Sequence, residues 1–276
     1  MRRAVISTLG ILAFGYAGAV AWLSWHEDAL IFPVDPRSRT LVPPDPALGL
    51  EPERVETVTA DGVRLVGWLM RDASPDPSAL WMLIFHGNGE NLSSAGRPQH
   101  YRALRALGLN LLTFDYRGYG ESEGRPSEAG VYRDADAAYA YLRDSLGIPP
   151  ERILIFGHSL GSAVAVDLAS RVPARGIVIE GSFTSVPEVA QRIYPFFPVR
   201  LLARSRFSSI DKIGRVAMPK LFLHASVDRM TPLALGRRLY DAAAEPKAFI
   251  ELAGGHADAY DADSAAYFGA IASFLR

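Results

Sequence analysis

The chain has 276 residues, with 29 basic and 30 acidic side chains and hence a formal net charge of −1. Its composition, 49% hydrophobic and 21% charged, is that of a globular protein and excludes wholesale disorder. The near-neutral charge argues against sequence-independent nucleic-acid binding, and the absence of cysteine excludes disulfides, a thiolate nucleophile and Cys-ligated metal sites.

An uncharged, apolar run of 22 residues, 4–25, follows the first three residues. As a helix it would span about 33 Å, which matches the hydrocarbon core of a bilayer. Arg2 and Arg3 precede it, so the positive-inside rule places the N-terminus in the cytoplasm and the rest of the chain on the far, extracytoplasmic side. A cleaved signal peptide, with residues 17–19 (Ala-Gly-Ala) as the cleavage site, is the alternative, but the run is longer than the about 7–15 apolar residues usual in a signal. Residues 1–25 are therefore predicted to be a retained transmembrane anchor.

A proline-rich connecting segment, residues 26–52, follows the anchor. Its prolines are Pro33, Pro36, Pro43, Pro44, Pro46 and Pro52. Proline fixes φ and removes a backbone donor, so regular structure is not expected to persist there. We expect a semi-extended connection laid over the surface of the following domain, on which the apolar residues 30–32 can dock.

From residue 53 onward, short β-type runs alternate with helical ones, which predicts a single domain over residues 53–276. Asp61-Gly62 lies between the runs 54–59 and 63–70 and is a two-residue hairpin signal, so the sheet should begin with an antiparallel pair. Continuous apolar runs, typical of strands buried on both faces, follow at residues 80–85, 110–114, 153–156, 176–179, 221–223 and 248–252.

Helical stretches separate these runs. They are predicted at residues 97–107, 128–146, 159–171, 187–203, 232–243 and 263–275. The alternation predicts an α/β fold with a mostly parallel, eight-stranded sheet and helices on both faces. Active sites of such sheets lie outside the carboxyl ends of the strands.

A Gly-x-Ser-x-Gly set, residues 157–161, lies between a predicted strand and a predicted helix. A serine at the tip of such a turn is held above the sheet with its hydroxyl exposed. The helix N-terminus then directs free amides at an oxyanion formed there. Ser159 is therefore the predicted nucleophile, and the alternative is a serine N-cap beside two turn glycines.

Ser159 needs a base that a third group orients. In this strand–turn–helix context the chain order is serine, acid, histidine. Of the six histidines, only His224 and His256 follow Ser159. Only His256, in a glycine-rich loop after a strand, leaves room for an acid at a preceding strand end. His256 is therefore the predicted base, and His224 a packing or hydrogen-bonding residue.

The predicted acid is Asp228. It follows the apolar strand at residues 220–224 and precedes a predicted helix, which is where an orienting carboxylate should lie. The rivals Asp258 and Asp261 come after His256. Asp211 precedes the wrong strand.

A loop of sequence His-Gly-Asn-Gly-Glu-Asn, residues 86–91, follows the third strand. Acyl transfer needs amides aimed at the developing oxyanion. One amide is expected from the residue after the nucleophile, Leu160, and the second from this loop, at Asn88. His86 precedes Ser159 and is expected to hold the loop by a hydrogen bond.

Over residues 53–276 these features resemble the serine hydrolases of the α/β-hydrolase family. The resemblance rests on residues 61–62, 86–88, 115–122 (Asp-Tyr-Arg-Gly-Tyr-Gly-Glu-Ser), 157–161, Asp228 and His256. With its anchor and its 86–91 loop, the chain is similar to the membrane-anchored abhydrolase-domain and bud-emergence-related proteins. Members of that subgroup are usually described as acyl hydrolases, often of lipid-like esters. The chain departs from the family pattern at Ala225, where glycine is common.

Family members with large lids insert a helical cap after the sixth strand. Residues 181–213 are only moderately long, so no separate cap domain is expected. The aromatic residues 194–197 of this stretch either line an acyl pocket or pack onto the sheet.

The predicted function is that of a membrane-anchored serine hydrolase that cleaves carboxylic esters, with lipid-like acyl groups implied by the resemblance. The predicted substrate is a small-molecule or lipid acyl ester, and neither a metal nor an organic cofactor nor a nucleic-acid partner is expected. Amide or thioester hydrolysis by the same triad is the enzymatic alternative. A non-catalytic membrane scaffold is the alternative from another class, but Ser159 and His256 are both present.

Overall fold

A mixed sheet of eight strands forms the centre of the fold in the computed structural model, which describes residues 2–34, 39–71, 76 and 78–276. Met1, residues 35–38 of the predicted connecting segment, and residues 72–75 and 77 of the predicted domain lie outside the described residues. The strands are β1 (Glu53–Val58), β2 (Arg64–Met70), β3 (Trp81–Phe85), β4 (Asn110–Phe114), β5 (Ile153–His158), β6 (Gly176–Glu180), β7 (Lys220–Ala225) and β8 (Lys247–Leu252).

The strands lie in the order β1-β2-β4-β3-β5-β6-β7-β8. β2 is antiparallel to β1 and β4, and the other neighbouring pairs are parallel, so the predicted sheet is confirmed. The turn between β1 and β2 is longer than the predicted two residues. The Thr59 N–H still donates to the Val63 carbonyl (2.9 Å), which leaves the loop 60–62 with Gly62 at φ 81°. Glycine in the left-handed region is what such a three-residue loop needs.

Helices cover both faces of the sheet. In chain order, the helices of the protein are α1 (Arg2–Trp25), which does not cover the sheet, α2 (Glu27–Ile31), α3 (Arg97–Arg105), α4 (Glu128–Ala140), α5 (Leu160–Ala169), α6 (Val186–Ile193), α7 (Val199–Leu202), α8 (Leu233–Ala242), α9 (Ala259–Ala262) and α10 (Ser264–Leu275). One buried core contains residues of α4, α5 and α8, and the other contains residues of α3 and α10. Successive strand residues serve opposite cores, as Leu83 and Ile84 of β3 do, which explains the continuous apolar runs.

The predicted helix over residues 187–203 is wrong in its extent, since α6 and α7 are separate. Tyr194 leaves the helical region at φ −120° and ψ 64°, directly before Pro195. Pro195 and Pro198 interrupt the helix because proline lacks an N–H and its ring clashes with the preceding turn. Between β6 and β7 the fully described residues 181–219 hold only α6, α7 and a short 3₁₀ turn (Ile213–Arg215), so no cap domain forms there.

The N-terminal helix α1 stands apart from the two cores. Within the described part of the chain it is the one helix long and apolar enough to cross a membrane, over Ile6–Trp25, and none of that stretch is buried. A core helix would bury its apolar side chains. Burial in the domain therefore does not account for the apolar composition of α1.

The segment after α1 is less extended than predicted, because α2 forms ahead of its first proline. Phe32 and Leu50, 3% and 7% exposed, are buried in the cores on opposite faces of the sheet. The Glu27 carboxylate accepts hydrogen bonds from the backbone N–H groups of Arg204 and Ser205, both at 2.8 Å. The segment is thus tied to the domain by apolar burial and by hydrogen bonds.

Helix α5 packs directly against β3 at Gly161, because no side chain lies between the helix and the strand there. An ideal Cβ at this position would lie 2.1 Å from the carbonyl oxygen of Phe85 in β3. At Gly157 a Cβ would lie 2.2 Å from the carbonyl oxygen of Gly161. Both contacts are far shorter than carbon and oxygen tolerate, so glycine alone permits this packing.

We expect Gly161→Ala to lower the free energy of unfolding by about 1–3 kcal/mol, because α5 must move away from β3. Denaturant unfolding of the detergent-solubilised chain measures the change. Gly269→Ala is the matched control: Gly269 lies in the exposed interior of α10 with nothing within 4 Å of its added Cβ. There alanine should stabilise by up to about 1 kcal/mol. Equal effects of the two substitutions would contradict the packing argument.

Candidate active site

Ser159 lies at the sharp turn between β5 and α5, as the sequence predicts. Its backbone has φ 54° and ψ −120°, a conformation that costs a residue with a side chain about 1–3 kcal/mol. The Ser159 N–H donates to the carbonyl of Glu180, at the end of β6, at 3.0 Å. The strained turn is therefore held between the neighbouring strand and the close contacts of Gly157 and Gly161.

The structure brings Ser159, His256 and Asp228 together. His256 Nε2 lies 2.8 Å from Ser159 Oγ, and His256 Nδ1 lies 2.7 Å from Asp228 Oδ2. Because a carboxylate only accepts, Nδ1 carries the proton and Nε2 accepts from the serine hydroxyl. Such a chain of hydrogen bonds can remove a proton from a serine as it attacks an electrophile.

Asp228 is held by more than His256. The N–H groups of Met230 and Thr231 donate to its Oδ1 at 2.9 and 2.8 Å, and the Thr231 hydroxyl lies 2.8 Å from its Oδ2. Burial opposes ionisation of this carboxyl, but the hydrogen bond and charge of His256 and the bonds from Thr231 outweigh it, so the pKa of Asp228 lies below its ordinary value. The carboxylate therefore stays ionised opposite His256.

The predicted oxyanion-hole residues Asn88 and Leu160 line the same cavity as Ser159. Leu160 is the first residue of α5, so its N–H has no acceptor within the helix. The loop that carries Asn88 passes close to Ser159, since a Cβ on Gly87 would lie 3.4 Å from Ser159 Cβ. The Asn88 side chain donates to the carbonyl of Ile31 at 3.1 Å and so anchors this loop to α2. The roles of the two amides stay predictions.

Two further histidines serve as hydrogen-bonding residues near the site. His86 Nδ1 donates to the carbonyl of Gly87 at 2.7 Å, and His224 Nε2 donates to the carbonyl of Thr231 at 2.7 Å. Burial lowers the pKa of His224. Among the described residues, no three His, Cys, Asp or Glu side chains are grouped as metal ligands.

Sequence reasoning missed a second support for His256, which comes from His158. His158 Nε2 donates to the backbone carbonyl of His256 at 3.0 Å, and its Nδ1 accepts from Arg97 at 3.0 Å. Arg97 is itself paired with Glu90, Nε to Oε2 at 2.7 Å. Burial lowers the pKa of His158, and the charge of Arg97 adds to this while Glu180 opposes it. The neutral ring therefore links α3 to the loop of His256, and nothing in the sequence near Arg97 signals that link.

An apolar cavity of about 290 Å³ opens beside Ser159. Most of its lining residues belong to α1, α2, α6 and α7, among them Val189 and Ala190 of α6. Phe183, before α6, and Phe197, between α6 and α7, add aromatic rings to the lining. Of the aromatic residues in the stretch 194–197, Tyr194 and Phe197 line this cavity. A cavity of this volume and lining suits an apolar group bound next to Ser159.

Residues 82–273 match the sequence profile described as the alpha/beta hydrolase family. This chain belongs to the alpha/beta hydrolase family. Membership confirms the resemblance and the fold predicted from the sequence, and it identifies the chain as a hydrolase by family.

Relatives within this family are found in bacteria, plants and animals. An uncharacterized protein of Mycobacterium tuberculosis is 41% identical over 79% of this chain and 76% of its own length. The alpha/beta hydrolase domain-containing protein WAV2 of Arabidopsis thaliana is 31% identical over 99% of this chain and 96% of its own. Lysophosphatidylserine lipase ABHD12 of Danio rerio is 38% identical, but the match covers 60% of this chain and only 48% of that protein.

A solved structure with the same fold is that of the esterase Pf2001 of Pyrococcus furiosus. It superposes with a TM-score of 0.73 over 86% of this chain and 96% of its own. At 20% sequence identity the likeness shows a common alpha/beta hydrolase fold.

We expect His158→Ala to slow the reaction of Ser159 with a fluorophosphonate about 10- to 100-fold, because the loop of His256 loses a hydrogen bond and a small displacement of a reacting group is costly. The rate constant for labelling of the detergent-solubilised chain measures this, with the melting temperature as a check on folding. His158→Gln retains an N–H donor and should recover most of the rate. An unchanged rate in the folded alanine variant would contradict the positioning role.

Proposed function

We propose that this alpha/beta hydrolase is a membrane-anchored serine esterase that cleaves carboxylic esters with apolar acyl groups. The observation that carries the proposal is the hydrogen-bonded chain Ser159–His256–Asp228, whose serine lines an apolar cavity. The two hydrogen bonds link the side chains in the order that a nucleophile, a base and an orienting acid have in acyl transfer, which supports the proposal.

In the proposed reaction, Ser159 Oγ attacks the acyl carbonyl carbon while His256 Nε2 takes the hydroxyl proton. The tetrahedral intermediate collapses, the C–O bond to the alcohol breaks, and His256 returns the proton to the leaving oxygen. Water then attacks the acyl-enzyme with the same help and releases the acid. The amides of Leu160 and Asn88 would stabilise the oxyanion in both steps, and one such donor is worth about 10²–10³ in rate.

The lining of the cavity and the activities stated for a relative and a structural neighbour both support an ester with an apolar acyl group as the substrate. The walls beside Ser159 are mostly aliphatic and aromatic side chains. One relative is a lysophosphatidylserine lipase, and a structural neighbour is an esterase. The same triad would also hydrolyse thioesters and amides, since the triad does not select the leaving group.

Anchoring by α1 is the second part of the proposal. Its stretch Ile6–Trp25 has the length and hydropathy of a membrane span. Arg2 and Arg3 precede it, so we propose an N-terminus in the cytoplasm and a hydrolase domain on the extracytoplasmic side.

The side of the membrane is tested with a single cysteine at the exposed Val58, since the chain has no other cysteine. On the extracytoplasmic side this cysteine should react with a membrane-impermeant maleimide in intact cells.

The triad predicts covalent labelling of the native chain by a fluorescent fluorophosphonate. Ser159→Ala and His256→Ala should abolish labelling, and Asp228→Asn should lower ester turnover by about 10⁴, since it removes the acceptor that sets the histidine tautomer. Ser170→Ala, at the far end of α5, is the matched control and should label normally. Absence of labelling in the folded native chain would favour the non-catalytic scaffold.

The cavity predicts that Ala190→Phe shifts the acyl-chain preference towards short chains. The larger side chain should exclude three or four methylene groups of a long acyl chain from the cavity, and each excluded group loses about 0.8 kcal/mol of binding free energy. We therefore expect kcat/KM for a long-chain ester to fall roughly 100-fold, with little change for an acetyl ester. Assays on p-nitrophenyl esters of increasing length measure this. Ala266→Phe, exposed on α10, is the control. The same loss at every chain length would argue against an acyl-binding cavity.

A further inference from the structure

We propose that residues 193–202, called here the α6–α7 tip, form a second membrane contact beside α1. The acyl cavity then opens between the tip and α1 into the bilayer, and the acyl chain of a membrane-resident ester enters from the lipid. This inference rests on the proposed function for its substrate, but the membrane contact itself is measurable without any catalysis.

The tip contacts α1 far from the end of that helix. The Tyr16 hydroxyl donates to the backbone carbonyl of Phe196 at 2.9 Å, and the Tyr16 ring stacks on Phe197 with centroids 5.5 Å apart and planes 3° apart. Tyr16 lies nine residues before Trp25, the last residue of α1, which is about 14 Å along the helix axis. Half of a bilayer's hydrocarbon core is about 15 Å thick. When α1 spans the membrane, the tip therefore lies within the adjacent leaflet.

The surface of the tip is apolar. Ile193, Phe196 and Leu201 are 55%, 84% and 86% exposed, and they adjoin a helix whose own apolar side chains are exposed. Single exposed apolar residues are ordinary, but a cluster continuous with a membrane span marks a contact surface. A lipid leaflet covers both surfaces at once.

The backbone of the tip is also suited to lipid, where polar groups need internal partners. Gln191 Nε2 lies 3.3, 3.1 and 3.1 Å from the carbonyls of Tyr194, Pro195 and Phe197. Tyr16 supplies the donor for the carbonyl of Phe196. Proline at position 195 also removes a backbone donor. The Gln191 amide has two hydrogens for these three acceptors, but the carbonyls of Tyr194 and Phe197 also accept from backbone N–H groups two or three residues later, at 3.1 and 2.8 Å. Each of the four consecutive carbonyls 194–197 therefore has a donor within the protein.

One charged side chain, Arg200, belongs to the tip. Its Nη2 lies 3.5 Å from Glu188 Oε1, near the start of α6, and Glu188 also pairs with Arg238 of α8. The guanidinium is therefore directed back towards the domain. An arginine at this level can keep its head group at the membrane interface while its aliphatic stem lies along apolar surface.

The cavity connects this surface to the nucleophile. Val20 and Leu23 of α1 form its wall on one side, Ile193 and Phe197 of the tip form it on another, and Ser159 also lines it. Because α1 is itself a wall, an acyl chain in the leaflet has an apolar route to Ser159. Entry from water would instead expose that chain on the way, which the hydrophobic effect opposes.

The location of the tip is tested with single cysteines in the cysteine-free full chain, labelled with an environment-sensitive fluorophore and reconstituted into phosphatidylcholine/phosphatidylglycerol vesicles. Leu201→Cys should be quenched by spin-labelled lipid and protected from aqueous iodide. Val58→Cys, 62% exposed on the edge strand β1, should show the reverse. Iodide quenching at Leu201→Cys equal to that at Val58→Cys would overturn the inference, as would failure of the chain to enter vesicles.

The route is tested with Phe196→Asp/Leu201→Asp, whose two positions do not line the cavity. A charge in lipid is costly, so hydrolysis of a long-chain ester carried in the vesicles should fall at least about tenfold while hydrolysis of a soluble acetyl ester stays within about twofold. Val58→Asp should change neither rate. Equal retention of both activities in the double variant would overturn the lipid route.

Different results would refute the esterase and the membrane contact of the α6–α7 tip. Lipid quenching at Leu201→Cys without any ester hydrolysis by the native chain would refute the esterase and leave the membrane contact in place. Normal hydrolysis of both esters with iodide quenching at Leu201→Cys would refute the contact and leave the esterase in place.

Discussion

The close approach of α5 to the sheet is the constraint on which the rest of the site depends. With no side chain at Gly157 or Gly161, the first turn of α5 lies directly against the end of β3. The chain must then turn within one residue, which puts Ser159 at positive φ with its hydroxyl above the strand ends. The N–H at the start of α5 and the loop after β3 are brought to the same point, so one packing contact sets the positions of both Ser159 and its surroundings.

His256 is fixed from two directions, and this explains the polar residues buried around it. Asp228 orients the ring through Nδ1, while His158 holds the backbone carbonyl of the same residue. Asp228 is in turn held by Thr231, and His158 by Arg97. Buried polar groups are costly unless they are paired, and pairing them in chains makes one geometry preferred over others. The loop of His256 therefore depends on residues from β5, α3 and the loop after β7.

The apolar cavity has a different origin, since it borders one core at Leu160 and Phe183 but most of its walls are helices outside the sheet. Its walls come from α6 and α7 and from the N-terminal helices α1 and α2, which Glu27 ties to Arg204 and Ser205. The segment after α1 is thus part of the cavity wall beside Ser159 as well as a connection. It joins two features that lie far apart in the sequence, an apolar helix long enough to cross a membrane and the Gly-x-Ser-x-Gly motif.

The sequence by itself determined the features that depend on local pattern. Apolar runs of the right length identified the strands, the glycines around Ser159 identified the turn, and chain order selected His256 and Asp228 among several candidates, which the structure brings within hydrogen-bond distance. Local pattern was less reliable at residues 187–203, where two prolines outweighed helical periodicity, and at residues 27–31, where a helix formed ahead of the prolines. Only the tertiary structure decided the pairing of His158 with His256 and of Tyr16 with the tip, because these contacts join residues 98 and 180 positions apart. Contacts of that kind leave no periodic trace in a sequence, since they depend on how the completed elements pack.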